Sequence, residues 1–265
     1  MRMSRVLLAV IALLPAVVLA DDPPAAKPPA NGWSGKGQFG FLASQGNAQA
    51  QSANAALDMA YVSGAWKQTL NAAMLYGESA DVVSAERWDA LFQSNYQFSS
   101  KFYAFGAARY EHDLFDGFQY QGSGTLGVGY KAIETSSVKL SVQLGAGYTL
   151  SREETLTTPY PPSPATPIPG FVARMPGARD NYAISTTGID YEQKLTSTTT
   201  LSDKLLVNAG SANTLVTNTL ALAVKVSTKL ALSLGYNLQD NTNPAPTTKH
   251  VDTTETVNLV YAFGS

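Results

Sequence analysis

The chain has 265 residues, a formal net charge of −2, no cysteine and 14% charged residues. A soluble domain usually carries about 25% charged residues, so the chain is charge-poor for one; the lack of cysteine excludes a disulfide framework, and the near-neutral charge argues against a nucleic-acid partner. Abundant Gly, Ser, Thr, Asn and Gln suit a membrane barrel, where half of each strand faces lipid and half faces a polar lumen.

Arg2 and Arg5 precede an apolar run at residues 6–19, broken by Pro15. The run is shorter than the roughly 20 residues that span a bilayer. It ends in Val18-Leu19-Ala20 before Asp21-Asp22, a signal-peptidase pattern with cleavage expected after Ala20. Residues 1–20 are therefore expected to be a signal peptide, residues 21–32 a Pro-rich periplasmic lead-in, and residues 33–265 an outer-membrane β-barrel.

From there the hydrophobic period is two. Twelve strands are expected, beginning near Trp33, Ala50, Trp66, Arg87, Lys101, Phe118, Val138, Arg179, Thr199, Leu215, Lys229 and Val251. The clearest alternation places Val138, Leu140, Val142, Leu144, Ala146, Tyr148 and Leu150 on one face. Lys139, Ser141, Gln143, Gly145, Gly147, Thr149 and Ser151 form the other. The Phe118 and Lys229 strands repeat the pattern, while the eighth changes phase near Thr187, where a β-bulge is one explanation. The clear strands run to ten or more residues; a globular strand has about five or six, and a tilted membrane strand needs about nine to eleven. Short connections at 63–64, 99–100, 134–137, 196–197 and 227–228 alternate with longer ones at 44–49, 77–86, 112–117, 152–178, 208–214 and 240–250. That alternation separates periplasmic turns from extracellular loops. Aromatics such as Trp33, Trp66, Trp88, Tyr110, Tyr130 and Tyr148 sit near strand ends, where interfacial girdles belong. In the last strand Val257, Leu259, Tyr261 and Phe263 alternate as a signal for the barrel assembly machinery, with Gly264-Ser265 following.

The parity points Arg87 and Asp89 of the fourth strand inward, beside Arg109 and Glu111 of the fifth, with Asp58 and Lys67 also facing in. Two readings stand: a charge-paired network that fills the lumen, or a polar constriction that filters solutes. Small inward residues, among them Ser123, Thr125, Ser141, Gly145, Thr219, Ala221, Ala231 and Ser233, suit either.

Catalysis is not expected. A barrel hydrolase needs a Ser nucleophile and a His base together, and neither His112 nor His250 has a Ser at such a spacing. His112, Asp113 and Asp116 form a thin cation-ligand cluster, short of a zinc set. No metal or cofactor is expected. The Pro-rich stretch at 159–176 reads as a stiff surface flap or a polyproline ligand. Arg152, Arg174, Arg179 and Lys249 near the outer rim suit lipopolysaccharide phosphates.

Several fragments together resemble the DUF481 family of salt-induced outer-membrane proteins. They are Gly32-Trp33-Ser34-Gly35 with Gly46-Asn47; Glu86-Arg87-Trp88; Phe105-Gly106 with Arg109-Tyr110-Glu111; Asp113-Leu114-Phe115-Asp116-Gly117-Phe118; and Leu259-Val260-Tyr261-Ala262-Phe263. The resemblance implies an outer-membrane barrel and, through the family's description, a link to salt or osmotic stress. It supplies no activity. The sequence thus favours a twelve-stranded barrel acting as a narrow pore or structural envelope protein. A soluble periplasmic β-rich binding protein is the alternative, and a barrel enzyme is a third.

Overall fold

The computed structural model describes residues 31–44, 50–79, 82–113, 118–157, 173–244 and 249–264. The expected signal peptide and nearly all of the Pro-rich lead-in lie outside the described residues. The rest is a closed antiparallel barrel of twelve strands, each paired with its neighbours in sequence. The strands are β1 (Gly32–Ser44), β2 (Ala50–Ser63), β3 (Trp66–Ser79), β4 (Val82–Gln97), β5 (Phe102–Asp113), β6 (Phe118–Glu134), β7 (Val138–Thr157), β8 (Ala173–Lys194), β9 (Thr199–Gly210), β10 (Thr214–Lys225), β11 (Leu230–Asn241) and β12 (Val251–Gly264). β1 closes the ring on β12 from Ser34 opposite Gly264 to Phe39 opposite Leu259.

The short turns share a local device. Ser99, Thr135, Thr196 and Ser227 each accept, through the side-chain oxygen, the backbone N–H three residues on, at 2.9–3.1 Å. Such side-chain acceptors let a hydroxyl residue nucleate a turn. The β2–β3 turn instead uses Gly64, whose φ of 58° is cheap for glycine. These turns all lie at one end of the barrel, and the longer loops lie at the other.

The inside is polar and the outside is apolar. The buried set includes Glu111, Thr149, Ser151, Thr186, Ser233, Gln239 and Asn258. Leu126, Leu144, Leu234 and Val257 are meanwhile 73%, 57%, 58% and 67% exposed on the outer wall. Water would not tolerate an apolar surface of that extent, whereas lipid requires it. Aromatic ladders edge the apolar belt. At the turn end Trp33 meets Tyr61 at 4.8 Å, Trp66 meets Tyr96 at 4.9 Å and Phe102 meets Tyr130 at 4.9 Å. At the loop end Trp88 stacks on Tyr110 at 4.9 Å, and Tyr110 on Tyr120 at 6.2 Å. The chain is a transmembrane β-barrel with the expected twelve strands, built without helices among the described residues.

Three expectations need correction. β4 begins at Val82, ahead of Arg87, because a register shift at Gly77/Glu78 lets the hairpin continue. β8 begins at Ala173, so residues 173–176 of the expected Pro-rich loop are strand; residues 158–172 lie outside the described residues. Pro176 stands opposite Glu154, next to a register shift between Arg152 and Glu154, where a missing N–H is tolerated. The third correction concerns Thr187, where β8 has no bulge. Its register runs unbroken from Arg179 to Gln193 against β7. The change of phase arises because Tyr182 and Ile184 point into the lumen while Ser185 and Thr187 face out. The outer belt carries a further polar break where Asn218 donates to Asp203 at 2.7 Å.

The parity has a direct test. Replacing Leu144 by Arg should cost about 2–4 kcal/mol in a refolding titration into vesicles, because the charge enters the lipid face. Replacing Ser141 by Arg should be far milder, since the inner wall places Asp190 directly opposite. Equal costs would contradict the assignment of faces.

Candidate functional site

The loop-end half of the lumen is organised around one carboxylate. Glu111, near the end of β5, has a side chain only 5% exposed. Arg87 of β4 reaches its Oε1 at 2.8 Å, and Arg109 of its own strand reaches its Oε2 at 2.9 Å. Strand alternation explains the cluster. Asp89 stands opposite Glu111 in register and Arg87 opposite Asp113, so one inner-wall face carries Arg, Asp, Arg, Glu and Asp over two adjacent strands. Arg87 Nε also lies 3.8 Å from Asp113 and 4.0 Å from Asp89. Gln239 of β11, on the opposite wall of the barrel, hydrogen-bonds to Glu111. The knot therefore crosses the lumen. A buried carboxylate is tolerable only where opposite charges and hydrogen bonds replace water, and here two guanidinium groups and an amide do so.

A second cluster lies nearer the turn end, on the wall formed by β4 to β7. Tyr103 and Phe105 of β5 turn inward and are 7% and 5% exposed. Their rings lie over Gly129 and Gly127 of β6, leaving no room for a Cβ at either position. Glycine on the inner wall is what lets these rings lie flat. The Tyr103 hydroxyl meets Ser141 and Gln143 of β7, across the glycine strand. Gln143 is also approached by Gln93 of β4 at 3.5 Å. Voids of about 10 Å³, beside Arg109, Thr149 and Tyr182, and about 40 Å³, beside Gln93, Phe105 and Asn208, lie next to these clusters. One water needs roughly 10–15 Å³, so these spaces hold one or a few waters each.

Of the residues singled out from sequence, Arg87, Asp89, Arg109 and Glu111 converge in the knot. Asp58 and Lys67 face the lumen but belong elsewhere. Asp58 pairs with Lys36 at 3.4 Å and accepts a hydrogen bond from Asn71. Lys67 stands opposite Val62 in register and makes no ion pair with Asp58 among the described residues. His112 and Asp113 are the last residues of β5 and not loop residues, because the strand extends further than its pattern suggested. They therefore point to opposite faces: His112 sits beside Trp88 at 5.9 Å on the outer wall, and Asp113 joins the knot. Asp116 lies outside the described residues, and no group of three metal-ligating side chains occurs among the described ones. Val257, Leu259 and Tyr261 lie on the outer face of β12, and the Phe263 ring packs against Gly35 of β1. Sequence reasoning missed Gln239, Tyr103 and Phe105, and read Asp113 as a loop cation ligand. Parity would have pointed all four inward, but their convergence depends on barrel closure and strand stagger.

The family model described as "Protein of unknown function, DUF481" matches residues 37–263, and the chain belongs to that family. Among curated proteins no match is found. Among solved structures, the translocator domain of autotransporter NalP from Neisseria meningitidis is similar at 12% identity and a TM-score of 0.48, covering 89% of this chain and 90% of that one. The NanC porin is similar at 9% identity and a TM-score of 0.44, covering 88% of this chain and 100% of that one. The beta domain of the Bordetella autotransporter Brka is similar at 7% identity and a TM-score of 0.39, covering 88% and 98%.

Replacing Glu111 by Ala should cost about 3–5 kcal/mol in chemical denaturation, because it removes the carboxylate that both guanidinium groups contact and leaves the largely buried Arg109 without its ion-pair partner. Replacing Asp58 by Ala should cost about 1 kcal/mol or less, since its Lys36 partner is half exposed. Comparable losses would show that the knot is not the stability centre of the lumen.

Proposed function

We propose that this member of the DUF481 family is an outer-membrane barrel whose lumen is shut by its own side chains. In this reading it serves the envelope as a membrane-embedded structural element and not as an open solute pore. The observation that carries the reading is Glu111, held by Arg87 and Arg109 from one wall and by Gln239 from the opposite wall. Ion permeation needs a continuous hydrated path with sites weak enough to leave. Buried charge pairs locked across the axis work against both.

The reading includes export on the leader at residues 1–20, cleaved after Ala20. It also includes delivery to the barrel assembly machinery through Val257, Leu259, Tyr261 and Phe263. The turn end then faces the periplasm and the loop end the cell exterior. Arg152 and Arg179 support contact with lipopolysaccharide. They stand opposite each other in register on the outer wall near the exterior rim, and like charges so placed repel unless an anion joins them. We also read the barrel as non-catalytic and free of a cofactor. His112 and His250 each direct Nδ1 at a backbone carbonyl, of Gln119 and Asn241 respectively.

Planar-bilayer recording of the refolded protein, with heat-modifiable gel mobility as the folding control, tests this. The wild type should insert and stay electrically silent. A double replacement, Arg109→Ala with Glu111→Ala, should admit discrete current steps. Regular steps from the wild type would overturn the closed-lumen reading.

A further inference from the structure

The cations of the barrel are sorted by height. Arg87 and Arg109 belong to the loop-end knot, whereas Lys36, Lys67, Lys131, Lys139 and Lys204 line the inner wall toward the turn end. Each sits on a strand position whose parity faces the lumen. Lys67, Lys139 and Lys204 are exposed although they are inner-wall residues. This part of the inner wall is therefore open to solvent on the turn-end side of Tyr103, Gln93 and Gln143.

The acids of this vestibule do not match its cations. Lys36 pairs with Asp58 at 3.4 Å, Lys131 with Glu134 at 3.1 Å and Lys139 with Glu192 at 3.1 Å. Lys67 and Lys204 make no ion pair among the described residues. Asp190 stands opposite Lys204 in register and is also within electrostatic reach of Lys67. Lys67 meanwhile feels the like charges of Lys131, Lys139 and Lys204, from β6, β7 and β9. Lys67, Lys131, Lys139 and Lys204 thus face one solvent-open part of the lumen from β3, β6, β7 and β9, where the carboxylates Asp58, Glu134, Glu192 and Asp190 are one short of the five lysines named. Their mutual repulsion raises the energy of the empty site, and an anion carrying several oxygens would relieve it. Low-dielectric walls strengthen that attraction compared with an open surface.

We propose that this vestibule is a binding site for a small multivalent phosphate-type anion, entered from the turn end, with Lys67 and Lys204 as its principal contacts. Lysine suits the role, because each ammonium is a mobile point charge with three donors that adapts to tetrahedral oxyanions. The site does not depend on the lumen being shut above it.

Inorganic pyrophosphate is the probe. It would be titrated calorimetrically into the refolded full chain in a neutral detergent, with sodium chloride of equal ionic strength as the reference. The structure calls for saturable binding that weakens as salt rises, since Coulombic contacts in a hydrated cavity are screened. Lys67→Gln with Lys204→Gln should weaken binding by about tenfold or more, roughly one power of ten in the dissociation constant. The charge-conserving pair Lys67→Arg with Lys204→Arg should retain it. Arg152→Gln with Arg179→Gln, on the outer wall, should leave it unchanged. Heat no larger than the chloride reference would overturn the proposal. Undiminished binding by the folded glutamine pair, or loss of binding on changing the outer-wall arginines, would do so as well.

Discussion

In hydrocarbon an unpaired backbone amide or carbonyl costs several kcal/mol, and a sheet in lipid answers this by leaving no edge. Here the answer is the ladder between β1 and β12, which joins the two ends of a twelve-strand meander. Closure then dictates the rest. Each residue must face either lipid or lumen, so one alternation serves both environments. The aromatic ladders fix the height of the belt, and the hydroxyl-closed turns at one end leave the length variation to the other.

A ring of twelve strands also creates an interior that must be filled or flooded. The loop-end half is filled. Glu111 is the pivot, because a carboxylate so deeply placed draws in whatever positive charge the neighbouring inner-wall positions offer. The phenolic and phenyl rings of Tyr103 and Phe105 lie against the middle of this wall, resting on a glycine floor that β6 provides. At the turn end Lys67, Lys139 and Lys204 are exposed on the inner wall. The same inner wall thus carries a largely buried, charge-paired zone and a zone of solvent-exposed lysines.

Much of this was legible in the sequence where the two faces differ sharply in polarity. β6, β7 and β11 alternate without ambiguity, and their starts and faces follow from period two alone. β8 resisted because its lumen face carries Tyr182 and Ile184 while its outer face carries Ser185 and Thr187. Polarity there runs against the side that each residue faces. The inward direction of Arg87, Asp89, Arg109 and Glu111 was also readable from parity. Their partners were not, because Gln239 is far away in sequence and meets Glu111 only after the ring closes. Asp58 and Lys67 show the same limit in reverse. Both face the lumen on adjacent strands, yet the register sets Asp58 against Asn71 and Lys67 against Val62.

In the closed-lumen reading the lumen is interrupted between its two mouths. The chain has no cysteine, so single cysteines can report access from each side without background. Cells displaying the protein would be treated with a membrane-impermeant maleimide, using Ser202→Cys on the inner wall toward the turn end and Asn243→Cys beside the exposed loop end. The account predicts that Asn243→Cys labels on intact cells, while Ser202→Cys labels only after the periplasm is opened to the reagent. Equal labelling of both positions on intact cells would mean that the path runs through, and the closed-lumen account would be wrong.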